Sequence, residues 1–276
     1  MKLSIVIPTL GRVKEVKALL QSVSENSRAD FEVIIVDQNF SDILDGMVTE
    51  YRDKGLSIRH YKVDFRGLSK AKNFGIEHAE GEYICFPDDD STFCKGTIDY
   101  ALAILDTKEY EIVCGKCVDE TGTDSVKLFA GTASALSLQS FEDKFIEATM
   151  FFETSCIKRF MYDEGLGIGA FHGAEEGFDI VYRMLNEGVR LFYDPKIVFY
   201  HPQVIFGHAS SREIRRVFTY RCGYARVCLK HKLTGRYLDR LIKVALYLPF
   251  VMVFKRGKTR YYTAELLGLL TGAVVK

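Results

Sequence analysis

Gly81-Glu82-Tyr83-Ile84-Cys85-Phe86-Pro87-Asp88-Asp89-Asp90 sets an apolar run directly against a proline and three adjacent carboxylates. Tyr83 to Phe86 reads as a short buried strand, and the chain turns polar where that strand ends. Three neighbouring carboxylates repel one another, so a fold that gathers them usually offsets the charge with a cation. In extended backbone Asp88 and Asp90 point one way and Asp89 the other. A carboxylate pair two residues apart suits a hard divalent cation that keeps waters and shares oxygens with a diphosphate. A solvated acidic turn, with Asp90 or Ser91 capping the next helix, is the plainer alternative.

The same grammar recurs upstream. Leu3 to Ile7 is a buried-strand run closed by Pro8-Thr9, and a helical pattern through Val16, Leu19, Leu20 and Val23 comes after it. Phe31 to Val36 is a second strand closed by Asp37 and a polar turn, Leu56 to Tyr61 a third, and Ser69 to His78 a helix. Short strands alternating with helices predict an α/β fold with a mostly parallel central sheet flanked by helices. In such sheets ligands bind beyond the carboxyl ends of the strands. Pro8-Thr9, Asp37-Gln38 and Asp88-Asp89-Asp90 are three such ends, expected to converge on one rim.

These motifs occur in an order that resembles the family 2 glycosyltransferases. The matching stretches are Ser4 to Thr9, Val36 to Asn39, Gly67-Leu68-Ser69-Lys70-Ala71-Lys72-Asn73, and Gly81 to Ile84 leading into Asp88-Asp89-Asp90. Gly173 to Asp179, Arg183, Asp194-Pro195 and Tyr200-His201-Pro202 are similar to the family's acceptor side, so the likeness covers about residues 3 to 202. The resemblance implies a GT-A nucleotide-diphospho-sugar transferase fold and transfer with inversion. It places Thr9 and Asp37 on the nucleoside and the Gly67–Asn73 stretch beside ribose and diphosphate, with Lys72 as a point charge. Pro8, Arg12, Ser69, Asp88 and Asp89 join that donor set, and Ser69 has helix capping as its ordinary alternative. Asp90, with Asp88 and in some relatives a histidine matching His201, would hold Mn2+ or Mg2+. The leaving nucleoside diphosphate develops negative charge that such an ion stabilises.

A base must also take the acceptor hydroxyl's proton. The family usually has a Glu-Asp pair at a helix start, whereas this chain has Glu175-Glu176-Gly177. Matching the acidic pair selects Glu176, with Glu175 and Asp179 behind it. Counting back from Arg183 instead puts Gly177 at the expected acid. The alternative for all three acids is a favourable interaction with a helix N-terminus. Gly165, Gly167 and Gly169 read as a loop before the base, not a dinucleotide fingerprint.

Lys plus Arg and Asp plus Glu balance at 37 each, yet from Gly207 onward fifteen basic residues face three acidic ones. A uniformly basic nucleic-acid binder is therefore excluded, and the tail is expected to face an anionic surface. Arg212 to Lys232 predicts one helix, a second from Tyr237 is expected to give way near Pro249, and a third spans about Tyr261 to Val275. The chain thus reads as a transferase domain at 1–206 and a basic, partly amphipathic helical region at 207–276. Peripheral contact with an anionic membrane is the expected use of that region, and a helical subdomain packed on the core is its alternative. Seven scattered cysteines exclude a disulfide framework, and Cys114-x-x-Cys117 lacks a second pair, so both read as strand residues. No apolar run reaches transmembrane length, and the start does not read as a signal peptide, which predicts a cytoplasmic protein, at the inner face of the membrane where the tail meets lipid.

The leading expectation is an inverting, metal-dependent glycosyltransferase of hexosyltransferase type. Its donor would be a nucleotide-diphospho-sugar, with UDP as the family's default. Its acceptor would be a glycan or lipid-linked saccharide in surface polysaccharide assembly. A non-catalytic sugar-nucleotide binding or scaffold protein is the rival, and a metal-dependent phosphohydrolase the third reading.

Overall fold

Leu3–Thr9 (β1) is buried along its whole length in the computed structural model, which describes residues 1–26, 30–203, 208 and 210–275. A strand covered on both faces must be apolar at successive positions, which is why its sequence runs without alternation. Val13–Asn26 (α1) comes next and buries Val16, Leu19, Leu20 and Val23. Phe31–Asp37 (β2), Asp45–Asp53 (α2), Ile58–Lys62 (β3), Leu68–His78 (α3) and Tyr83–Cys85 (β4) continue the alternation. β3, β2, β1 and β4 lie side by side in that order, all parallel. β1 pairs with β4 only as far as Ile5–Cys85, so Pro8 forfeits no bond on that side.

The rest of the sheet is mixed. Thr92–Phe93 (β5), Thr97–Leu105 (α4), Ile112–Val118 (β6), Ser134–Leu136 (β7), Phe151–Glu153 (β8), Thr154–Phe160 (α5), Glu176–Asn186 (α6) and Leu191–Tyr200 (β9) come next in the chain. β8 enters antiparallel between β4 and β6, β6 and β9 are parallel, and β5 and β7 both pair antiparallel with β9. Ile5, Ile7, Val33, Ile35, Phe151 and Phe199 are among the buried side chains of the main core. Buried Glu32 accepts from the Ser4 hydroxyl at 2.6 Å and the Glu80 amide at 2.8 Å, and pairs with Arg59 at 2.6 Å. A buried charge is tolerable only with such partners. Cys114 and Cys117 are buried, unpaired thiols of β6, as expected of strand residues.

The chain groups into two units. The first comprises Met1–Arg66, Lys70–Met161 and Ile180–Val204, and the second Gly67–Ser69, Tyr162–Asp179 and Ile205–Lys276. The boundary expected between 206 and 207 lies outside the described residues. Residues 67–69 and 162–179, read from sequence as part of the transferase domain, group with the helical unit.

Ser211–Lys230 (α7), Thr234–Phe254 (α8) and Thr259–Val274 (α9) form most of that second unit. α7 opens on a capping box between Ser210 and Glu213. α9 meets α7 through Gly268 and Gly272, where a Cβ would collide with the carbonyls of Phe218 and Cys222. Helix α8 does not give way at Pro249 as the sequence predicted; it runs through to Phe254. Val244 and Val251 are buried on either side of the proline, so packing on both flanks holds the helix across the lost backbone bond. Buried Glu265 of α9 accepts from Arg221 at 2.7 Å and also from Arg240.

Candidate functional site

Three strand ends build the rim in the first unit. Thr9 closes β1 and sits opposite Asp37, the last residue of β2, in parallel register. Asp37 is fully buried, and both of its oxygens are occupied. Oδ1 accepts from the Asn39 amide at 2.9 Å and from Asn39 Nδ2 at 2.6 Å, while Oδ2 meets His60 Nε2 at 2.9 Å. Each carboxylate oxygen has two acceptor positions. Oδ2 therefore keeps one position for a ligand N–H or hydroxyl, and Oδ1 keeps none. Asn39 Oδ1 in turn accepts from the Gly11 amide at 2.8 Å, tying the loop after β1 to the loop after β2.

The acidic triplet comes directly after β4. Ser91 donates its amide and hydroxyl to the Asp88 carbonyl at 2.9 and 2.8 Å, forming the turn that fans the three carboxylates apart. Asp89 accepts from Thr9 Oγ1 at 2.8 Å. Asp90 Oδ2 accepts from Arg12 Nη1 at 2.9 Å, and its Oδ1 lies 3.5 Å from His201 Nε2. Burial pushes the Asp88 carboxyl up, Lys72 pulls it back, and Glu147 and Asp90 add to the rise. Asp89 is pushed up to about 6, chiefly by burial. Asp90 goes the other way, held down first by His201, and His201 is raised by Asp90 in return.

Asp88, Asp90 and His201 each offer a ligand atom, all within 4.8 Å of one another. Two carboxylates and an imidazole leave coordination positions open for water and phosphate oxygens. The His201 Nδ1 lies 2.7 Å from the Pro202 carbonyl, which can only accept, so Nδ1 carries a proton and Nε2 is the nitrogen turned toward the acids. That backbone contact sets the tautomer a metal-binding histidine needs. The residues therefore fit a divalent cation.

Lys72, expected as a point charge beside the diphosphate, is paired in this structure. It is nearly buried and donates to Glu147 Oε1 at 2.6 Å. Glu147 stands in a single 3-10 turn, Glu147–Thr149, and no motif around it signals a functional residue. Asn73 is buried one position on. His60 and Glu147 are titratable neighbours of the rim that sequence reasoning missed.

The second unit holds the remaining expected residues. Gly67 has φ +138°, and Ser69 lies inside α3, where its hydroxyl donates to the Leu166 carbonyl at 2.7 Å and caps no helix. Glu176 is the first residue of α6, and Glu175 before it has φ +76°, left-handed backbone unusual for a side chain larger than glycine. Gly167, at φ +96°, brings its loop so near Glu176 that a Cβ would lie 3.2 Å from that carboxyl carbon. Asp179 is fully buried, with Lys230 Nζ at 2.7 Å and His231 Nε2 at 2.8 Å. It thus anchors the end of α7 to the first turn of α6.

Against this geometry, comparisons with known proteins agree on one family. Residues 4–165 match the family described as Glycosyl transferase family 2. A poly(ribitol-phosphate) beta-N-acetylglucosaminyltransferase, TarS of Staphylococcus aureus, is 29% identical over 142 residues, 50% of this chain and 25% of that protein. The GalNAc(5)-diNAcBac-PP-undecaprenol beta-1,3-glucosyltransferase of Campylobacter jejuni is 28% identical over 132 residues, 47% of this chain and 42% of that one. The chain thus spans less than half of either relative. Among solved structures, a mannosyltransferase of Pyrobaculum calidifontis with GDP-Man and Mn2+ superposes with TM-score 0.64 over 99% of this chain and 87% of that one, at 13% identity. At that identity the likeness establishes the GT-A fold alone.

Proposed function

This chain belongs to glycosyl transferase family 2, and from that premise we propose that it is an inverting, metal-dependent transferase of hexosyl groups. Its donor is a nucleotide-diphospho-sugar, with UDP the preferred nucleotide, and its acceptor a hydroxyl of a glycan or lipid-linked saccharide in surface polysaccharide assembly. One observation carries the reading: a cation-ready Asp88–Asp90–His201 cluster shares a sheet rim with the buried carboxylate of Asp37.

Asp37 holds the nucleoside through the open position on Oδ2, while Thr9 keeps Asp89 turned aside. Arg12, on the outer oxygen of Asp90, limits repulsion within the triplet before the donor arrives. Asp88, Asp90 and His201 would hold Mn2+ or Mg2+, which would supply Lewis-acid stabilisation of the leaving diphosphate. Glu176 takes the proton of the acceptor hydroxyl as its oxygen bonds to the anomeric carbon. The bond from that carbon to the diphosphate oxygen breaks, and the nucleoside diphosphate leaves with the electron pair. The named activities of the Staphylococcus and Campylobacter relatives, a glycopolymer glycosyltransferase and a lipid-linked saccharide glycosyltransferase, support this acceptor class.

The test is thermal-shift measurement with UDP, GDP and dTDP and their sugars, each with Mn2+, Mg2+ or EDTA. A ligand at 100 times its dissociation constant stabilises by about 2.7 kcal/mol. A shift that needs both one nucleotide class and the metal is expected, and Asp90→Ala should remove its metal dependence. Glu176→Gln should keep the shift and lose turnover. A shift with no turnover from any donor and acceptor would favour the sugar-nucleotide binding protein that the unusual Glu175-Glu176-Gly177 sequence also allows.

A further inference from the structure

Helix α8 buries one side in the helical unit, through Tyr237, Val244 and Val251, and exposes an apolar one. Leu238, Ile242, Leu246 and Phe250 recur at four-residue steps, and Val253 and Phe254 complete the exposed face. Leu246 is 75% exposed and Phe254 71%, values a soluble surface rarely shows for several large side chains in one stripe.

The charge at the end of this stripe identifies its occupant. Lys255, Arg256, Lys258 and Arg260 come immediately after Phe254, and all four are exposed. No acidic residue lies between Asp239 and Glu265. Asp239 is paired with Lys243 at 2.7 Å, and Glu265 is buried beneath Arg221 and Arg240. The corner between α8 and α9, residues 250–260, therefore offers apolar surface and positive charge with no acidic residue of its own. Aromatic rings mark the junction: Tyr247 contacts both Phe250 and Tyr262, and Phe250 contacts Phe254. Lys255 donates to the Tyr247 hydroxyl at 3.0 Å, running its alkyl stem past this cluster.

We propose that this corner docks on an anionic lipid bilayer, with α8 lying in the interfacial plane and the four cations on headgroup phosphates. The order of apolar face, aromatic junction and cations is that of an interfacial helix. A second copy of the chain would instead bring a face of the same charge sign. No described helix is long and apolar enough to cross a membrane, which agrees with a helix that lies on one. The inference rests on the helical unit alone and is read without nucleotide, so it stands or falls separately from the transferase reading.

The experiment is co-sedimentation of the full chain with vesicles of phosphatidylcholine plus phosphatidylglycerol, and of phosphatidylcholine alone, across a salt series. Binding to the anionic vesicles that weakens with salt is expected. Replacing Lys255, Arg256 and Lys258 with Gln should lower partitioning about fivefold per cation, roughly a hundredfold for the three. Val253→Ser with Phe254→Ser should weaken binding on the same vesicles and leave the oligomeric state unchanged. All five side chains are exposed, and unchanged thermal melting would confirm that each variant folds. Failure to sediment with anionic vesicles, equal binding to both compositions, or indifference to the Gln substitutions would overturn the proposal. So would a dimer, seen by sedimentation equilibrium, that the two Ser substitutions convert to monomer.

Discussion

Replacing Glu147 with Leu should destabilise the protein far more than its place in a short loop turn suggests. Its carboxylate lies 2.6 Å from Lys72 Nζ, with the lysine side chain 4% exposed and the glutamate 13%. Removing one partner of a buried ion pair costs about 3–5 kcal/mol, because the other charge is left in a poor dielectric. Asp88 offsets part of that cost here, since the ammonium already acts on its carboxyl. The expected loss is therefore about 2–3 kcal/mol. Lys72→Met should cost less, about 1–2 kcal/mol, because the glutamate it orphans can turn toward water. The double variant should be less unstable than either single predicts, as apolar side chains of similar volume replace a buried pair at little cost.

Urea unfolding of the four proteins at pH 7 without metal gives the cycle directly. A Glu147→Leu loss below about 0.5 kcal/mol, or a double variant that costs the full sum, would refute the view of Lys72 as a charge that must be paired. The same proteins report on function. If Lys72 turns to a diphosphate when the donor binds, UDP with Mn2+ should stabilise Glu147→Leu more than wild type, and Lys72→Met less.

Glu82 accepts from Lys108 and Lys2, and those two bonds hold its carboxyl down to about 2, below the ordinary 4.5. A lowered acid stabilises the fold above pH 4.5 and loses that contribution as pH falls toward 2. The side chain is 42% exposed, so Glu82→Gln should cost no more than about 1 kcal/mol at pH 7 and nothing near pH 2. Equal costs at both pH values in urea unfolding would contradict the assignment. Burial pushes Cys117 up to about 12 and raises Cys114 as well, so iodoacetamide at pH 8 should label neither until the protein unfolds. Rapid native labelling of that pair would reopen a redox role. His60→Ala frees Asp37 Oδ2 to reorient and should raise the donor dissociation constant about tenfold while leaving kcat nearly unchanged. Unaltered nucleotide affinity by calorimetry would show that His60 does not position that carboxylate.

β1, β2 and β4 were legible because burial on both faces leaves no room for alternation, and because a strand's carboxyl end is where the chain meets solvent and ligand. β3, a half-buried strand at the sheet edge, was legible by its place between two helices. β5, β7 and β8 were not, being two or three residues long, too short for any period to register. Their places depend on partners distant in sequence, such as Phe93 opposite Phe199. Pro249 misled for a related reason. A local rule against proline in helices was outweighed by Val244 and Val251, whose burial no local window reveals.

The site divides along the same line. Asp88 and Asp90 stand out by type and position and His201 only through the family resemblance, whereas Glu147 reaches Lys72 across 75 residues and His60 meets Asp37 across 23. The three candidate bases show how far sequence alone can carry the choice. Glu175, Glu176 and Asp179 lie within one helical turn, and every acid there favours the helix N-terminus equally. Packing separates them. Asp179 is fully buried, with an ammonium and an imidazole on one of its oxygens, so an approaching hydroxyl would have to displace Lys230 or His231 before giving up a proton. Glu175 is fixed in left-handed backbone that strains its own side chain. Glu176 holds the first position of the helix, and Gly167 lies so close beside its carboxyl that a side chain there would crowd it. Glu176 therefore stays the base we propose, and the pairing that sets Asp179 apart comes from residues as far along the chain as Lys230 and His231.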